Sequence, residues 1–272
     1  MTVASTMTEA WRATLVGILY RGYEVAPRGQ KTRELTNHAV HVDLRYPVLL
    51  QPERKLQYRF MAAEAHWILS GSNRVDEIAP WNSNIAKFSD DGVTFEGAYG
   101  PRIHEQLPWA VARLYDDRET RQAVMTIWQP TPRPSKDIPC TVAVNFQIRR
   151  GCLDLTVFMR SSDAWLGLPY DVFNFSLLGH LVLGLYNDLA LASRELTSRP
   201  LLAPGSLYLL AASSHLYEEH WAAAETCVEN LSQHAGHREP PVPDFNNEEH
   251  LMATLRSLRD SKKGDPLRWW ER

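Results

Sequence analysis

Asp137-Ile138-Pro139-Cys140 opens the stretch DIPCTVAVNFQIRRGCLDLTVFMRSSDAWLGLPYD, residues 137–171, whose reading decides the fold. Pro139 sets up a turn just before Cys140. Val142, Val144, Phe146 and Ile148 then alternate with smaller or polar residues, Arg149-Arg150-Gly151 makes a turn, and Leu153, Leu155 and Val157 alternate again. Period-two patterning on both sides of a turn predicts a β-hairpin. Directly after it come Arg160-Ser161-Ser162-Asp163 and Leu166-Gly167-Leu168-Pro169-Tyr170-Asp171. A thiol, an arginine suited to an anion and two carboxylates therefore share one short stretch. A neighbouring cation favours the thiolate form of cysteine. Arg160 follows the second strand of the hairpin, so it is placed to approach Cys140.

Working outward, residues 10–20 carry Trp11, Leu15, Ile18 and Leu19 at helical spacing, and residues 27–33 form a basic, polar loop. Val40, Val42 and Leu44 alternate as a strand. Residues 60–69 read as a helix in which Glu64 interrupts an apolar run; a carboxylate there is either at a rim or buried with a role in proton transfer. Residues 81–105 are rich in glycine and aspartate and read as irregular. Residues 120–128 suit a buried strand, and residues 172–192 a long, very apolar, central helix. Pro204-Gly205 is expected to turn into a strand at 206–212, residues 215–231 to be helical, and residues 232–243 to be a polar loop. No internal repeat or linker divides the chain, so residues 1–272 are expected to form a single α+β domain, with a mixed sheet packed against helices.

Composition narrows the function. Hydrophobic residues make up 44% of 272, enough for a sizeable core, and the formal net charge is −3. No broad basic field is available for a nucleic-acid backbone, although a mononucleotide phosphate needs only a few arginines. The three cysteines, Cys140, Cys152 and Cys227, are expected to be free thiols of a reducing, cytoplasmic compartment. The N-terminal residues lack the apolar core of a signal peptide, and no membrane span is expected. His234 and His237 have ligand-like spacing but no accompanying cysteine pair, so no metal is expected. A phosphate loop and a glycine-rich dinucleotide fingerprint are both absent from the sequence. A cysteine hydrolase coupling Cys140 to His215 lacks any local signature around the cysteine.

Taken together, these segments resemble the thymidylate synthase family, with matching pieces in family order over most of the chain. Arg28 lies in a loop like the family's phosphate loop, and Glu64 sits in a segment like that of the catalytic glutamate. Trp81 and Tyr99-Gly100 resemble the folate-side segment. Arg121 resembles an arginine that reaches the partner subunit's site, and Pro139-Cys140 resembles the nucleophile. Arg160–Asp163 and Leu166–Pro169 resemble the family's most specific motif, while His215-Leu216-Tyr217 resembles the pair that holds the nucleotide sugar. The resemblance implies a homodimer built through a sheet face. Arg28, Arg121, Arg160 and Ser161 would hold phosphate, His215 and Tyr217 the sugar, and Trp81, Asp163, Leu166 and Gly167 the folate side. The co-substrate would be 5,10-methylenetetrahydrofolate.

The departures from the family pattern carry the substrate reading. Asp171 stands where thymidylate synthases carry asparagine. Uracil presents an N3–H donor and an O4 acceptor; cytosine presents an N3 acceptor and an N4 donor. A carboxyl group can accept from N4 and, when protonated, donate to N3, and an unpaired buried polar group is costly. Aspartate here resembles the cytidylate hydroxymethylase branch, which includes enzymes of nucleoside-antibiotic pathways, and implies CMP or dCMP as substrate. The competing role for Asp171 is to cap the helix that begins nearby. Thr141 replaces a usual histidine, Gln122 leaves Arg121 as the sole arginine of its pair, and the end, Trp269-Trp270-Glu271-Arg272, lacks the usual synthase tail. The resemblance implies addition of Cys140 to C6, attack of C5 on the one-carbon unit, and hydration assisted by Glu64. Two alternatives stand beside this reading: a methyltransferase acting on dUMP or dCMP, and a nucleotide-binding protein without catalysis.

Overall fold

The computed structural model describes residues 2–3, 6–193, 199–229, 239–245 and 247–262. The C-terminal Trp269–Arg272 segment, His234 and His237 lie outside the described residues. Among those described, the strands form a mixed eight-stranded sheet in the order β1-β3-β8-β6-β5-β4, with β2 added to β3 and β7 to β8. The strands are β1 (Thr2–Val3), β2 (Tyr23–Val25), β3 (Thr32–Asp43), β4 (Val124–Thr126), β5 (Thr141–Arg149), β6 (Cys152–Met159), β7 (Ser162–Asp163) and β8 (Ala203–Tyr217). The hairpin read from the sequence is β5–β6, its turn carried by Arg150 and Gly151, both at positive φ.

Helices α1 (Met7–Arg21), α2 (Tyr58–Leu69), α3 (Val75–Ile78), α4 (Tyr99–Asp116), α5 (Leu168–Ala192), α6 (Trp221–Glu229) and α7 (Glu248–Asp260) pack around the sheet. Thr6 caps α1 in a reciprocal capping box with Glu9. Helix α5 is buried on nearly all sides, as its uniformly apolar sequence requires, and contacts α1, α2, α4, α7, β6 and β8. It is long and apolar enough to cross a membrane, but most of it is enclosed by the fold.

Three readings of the sequence are corrected. Residues 81–105 are not irregular throughout: α4 begins at Tyr99. Pro101 falls in its first turn, where a missing N–H costs nothing. Gly100 is needed because a Cβ there would lie 2.5 Å from the Ser72 carbonyl oxygen. Pro204-Gly205 is no turn but the start of β8, which pairs with Cys152 and Leu153 of β6. Residues 215–217 are strand rather than helix, and helix begins only at Trp221 after a short 3-10 turn at Glu218–His220. Period-two alternation along β8 breaks between Ala211 and Ser214, both buried, opposite left-handed Asn37 (φ 52°) of β3.

Topology gathers the chemistry at one end of the sheet. β3 runs antiparallel to β8, β8 parallel to β6, and β6 antiparallel to β5. The start of β3, the end of β8, the end of β6 and the start of β5 therefore meet. Those ends carry the loop after Arg28, then His215 and Tyr217, then Arg160, then Cys140.

Candidate active site

Cys140 is half-buried at the mouth of β5. Arg160 Nε donates to the Pro139 carbonyl at 2.9 Å, and its Nη2 donates to Ile138 O at 3.0 Å, with Cys140 Sγ 3.9 Å from the same nitrogen. The Arg160 backbone N–H also donates to Cys140 O at 2.9 Å. Half of the guanidinium fork thus fixes the turn that presents the thiol. Nη1 makes no hydrogen bond among the described residues. Burial pushes the Cys140 thiol above its ordinary value, negative charge at Asp171 pushes the same way, and Arg160 opposes both without prevailing. The activation expected from Arg160 alone is therefore not realised in the free site.

Behind the nucleophile lies a cavity of about 170 Å³ lined by Glu64, Asp137, Asp171 and Asn174 and walled by Trp67, Ile68, Ile85, Phe88, Phe95 and Tyr99. Glu64 projects from α2, between buried Ala63 and Ala65. Burial pushes its carboxyl up to about 7, against the opposing hydrogen bond from Asn174 Nδ2 to Glu64 Oε2 at 2.8 Å. Asp171 lies in the first turn of α5; burial, then the charges of Glu64 and Asp163, push it up to about 8. The N-cap of α5 is Gly167, with no side-chain cap, and the Asp171 carboxyl makes no hydrogen bond among the described residues. Gly167 leaves room for that carboxyl: a Cβ would stand 3.3 Å from Asp171 Oδ2. Tyr99 bridges to the nucleophile strand, the Thr141 N–H donating to its hydroxyl at 3.3 Å.

The remaining expected residues take varied positions. Ser161 follows Arg160, half-buried. Asp163 Oδ1 accepts from the backbone N–H groups of Trp165 and Leu166, each at 2.8 Å, and so shapes the turn into α5. Asp163 also pairs with His215 through β7–β8. His215 packs edge-on against Tyr217 (5.2 Å between centroids), and its buried Nδ1 has no hydrogen-bond partner among the described residues. Thr32 pairs with Tyr217, which brings the loop carrying Arg28 alongside. Arg28 is exposed and left-handed (φ 54°), and Arg121 is exposed after α4. The guanidinium groups of Arg59 and Arg259 stand 5.1 and 5.2 Å from the Trp81 ring centroid. Trp81, Leu166 and Gly167 do not line the cavity, whereas Glu64 and Asp171 do. No group of metal-binding side chains occurs among the described residues.

Asn174, Asp137, Phe88 and Phe95 were not singled out from the sequence. Asn174 had a legible signal: it is the first amide in the apolar run of α5, three residues after Asp171 and so on the same helical face. Phe88 and Phe95 lay in a segment without periodicity, and only the fold brings them to the cavity.

The fold and this arrangement define a mixed-sheet α+β protein whose thiol and arginine meet at the strand ends and whose two carboxyl groups, Glu64 and Asp171, line an aromatic-walled cavity. The chain belongs to the thymidylate synthase family, whose model matches residues 9–239. It is 31% identical over 185 residues to a deoxyuridylate hydroxymethyltransferase of Bacillus phage SP01, covering 60% of this chain and 48% of that protein. It is 37% identical over 145 residues to the protein of the same name from Pseudomonas phage M6, covering 50% of this chain and 41% of that one. Against the thymidylate synthase of Enterobacteria phage T4 the identity is 26% over 237 residues, covering 79% and 77%. The chain thus spans about half the length of the two hydroxymethyltransferases.

Proposed function

We propose that this protein is a one-carbon transferase that hydroxymethylates C5 of a pyrimidine nucleotide, with cytidylate (CMP or dCMP) as the nucleotide and 5,10-methylenetetrahydrofolate as co-substrate. The observation that carries the reading is the unpartnered Asp171 carboxyl beside the cavity, pushed up to about 8 and so protonated at neutral pH. In that state it donates to cytosine N3 while its carbonyl oxygen accepts from N4. The flat apolar walls from Trp67, Phe88 and Phe95 suit a planar heteroaromatic ring, and Asp137 adds a polar edge, so the residues present fit a pterin.

Each residue then has a role. Arg160, with Ser161, Arg28 and a partner's Arg121, receives the phosphate; among the described residues Arg160 makes no ion pair and is bonded to carbonyls. Cys140 adds to C6. Asp171 delivers its proton to N3 as charge develops in the ring. C5 would bond to the one-carbon unit that the folate supplies; the folate nitrogen leaves with the electron pair of the broken C–N bond and takes up the proton lost from C5, the N3 proton returns to Asp171, and a C5=CH2 double bond remains. Glu64, with a carboxyl near 7, accepts a proton from water as that oxygen bonds the exocyclic carbon. The electron pair passes through C5 and expels Cys140 as thiolate. His215 and Tyr217 face the sugar. The homodimer this requires is supported by exposed Val142, Phe158 and Leu210 on β5, β6 and β8. Phe158 and Leu210 are register partners.

Incubating the protein with CMP, dCMP or dUMP and the folate, and weighing each product, tests the reading. Addition of a CH2O unit to cytidylate supports it; addition of CH2 with formation of dihydrofolate overturns it.

A second reading, hydroxymethylation of deoxyuridylate, is favoured by the names of the phage relatives and by one physical point. A neutral Asp171 carboxyl can also donate to uracil O4 and accept from N3–H. Turnover of dUMP in preference to both cytidylates would select it.

A further inference from the structure

We infer that Asn174 is the positioning residue of the hydration step, orienting Glu64 through its Nδ2 and offering its Oδ1 to the attacking water. This rests on the hydroxymethylase reading. Asn174 is 7% exposed within the apolar run of α5, a costly place for an amide. Among the described residues only one half of that amide is satisfied: Nδ2 donates to Glu64 Oε2 at 2.8 Å, while Oδ1 is buried without a partner. Both Asn174 and Glu64 line the cavity. An amide whose donor is spent on a carboxylate presents a bare acceptor beside it. Those two acceptors side by side match the two hydrogens of one water molecule. Apolar side chains of similar size would fill the same space without leaving a buried oxygen unpaired, so packing does not account for the amide.

The step balances without another reactant. Water gives one proton to the Glu64 carboxylate while its second hydrogen is held by Asn174 Oδ1. The new C–O bond forms at the exocyclic carbon, and the displaced electron pair leaves with Cys140. Asn174 acts after loss of the C5 hydrogen, so its removal should split two readouts that a general loss of structure would lower together.

The experiment uses CMP, dCMP and dUMP, each tritiated at C5, with methylenetetrahydrofolate and 2-mercaptoethanol as a competing nucleophile for the exocyclic carbon. Asn174→Asp keeps the side-chain shape but replaces the donor facing Glu64 with an acceptor; Asn174→Ala removes both halves. For either variant, tritium release should stay within about threefold of the parent while hydroxymethyl product falls about tenfold and the thiol adduct rises to replace it. An unchanged ratio of hydroxymethyl to thiol product overturns the inference. So does a parallel fall of tritium release and product, in either variant that remains folded. Failure of the underlying reading is distinguishable, because it would appear in the unaltered protein as methyl product or no tritium release.

Discussion

Asn174 Nδ2 donates to Glu64 Oε2 across 2.8 Å, tying α5 to α2 at the floor of the cavity. One turn back on α5, Asp171 adds a second carboxyl with no such donor. The two groups therefore differ in support: Glu64 is held near 7, Asp171 near 8. Two coupled carboxyl groups titrate as a unit, and the hydrogen bond from Asn174 favours ionisation on the Glu64 side. That preference gives one base and one acid in the same cavity.

Turnover should therefore be bell-shaped in pH. The rising limb reports ionisation of Glu64 and the falling limb loss of the Asp171 proton, with the optimum between about 7 and 8. Steady-state rates across pH measure it. Asp171→Asn should remove the falling limb on any nucleotide it still accepts.

Stability should fall as pH rises from about 4 to about 8. The folded Asp171 carboxyl holds its proton up to about 8, against 3.8 for the free group, so the folded state binds more protons in that window. Neutral replacement should offset this loss. Asp171→Asn is expected to raise stability on the order of 1–3 kcal/mol at pH ~8.5 and much less near pH ~4, read by denaturant unfolding at both.

Arg160→Lys should be damaging although it keeps the charge. Lysine cannot reproduce the fork that binds the Pro139 and Ile138 carbonyls at 2.9 and 3.0 Å. Loss of about 1–2 kcal/mol of stability is expected, with kcat/KM down about a hundredfold. Thermal unfolding and kinetics separate the two effects.

Gly167→Ala should leave the fold intact and weaken nucleotide binding. The new methyl would sit 3.3 Å from Asp171 Oδ2 and 3.4 Å from Asp163 O, so the carboxyl must give way. KM is expected to rise several-fold with little change in melting temperature, on the order of a degree or two.

Local pattern was enough for the β5–β6 hairpin, for α2 with Glu64 interrupting its apolar run, and for the Asp171 substitution that directs the substrate reading. Their signals are short-range: alternation, helical spacing, and one residue within a recognisable motif. The start of α4 and the end of β8 were hidden because each depends on something distant. Gly100 is tolerated in α4 because Ser72 approaches it, and β8 continues past its broken alternation because β3 supplies left-handed Asn37 opposite. The sequence alone also supplied Cys140, Arg160 and Glu64 as reactive groups, since their chemistry is intrinsic to the side chains. Only the tertiary structure decided their states. Enclosure raises the Cys140 thiol despite Arg160, spends half of that guanidinium on two carbonyls, leaves Asp171 uncapped and protonated, and sets Asn174 against Glu64. Desolvation and hydrogen bonding depend on what surrounds a group in space, and those neighbours come from chain segments as far as 110 residues apart.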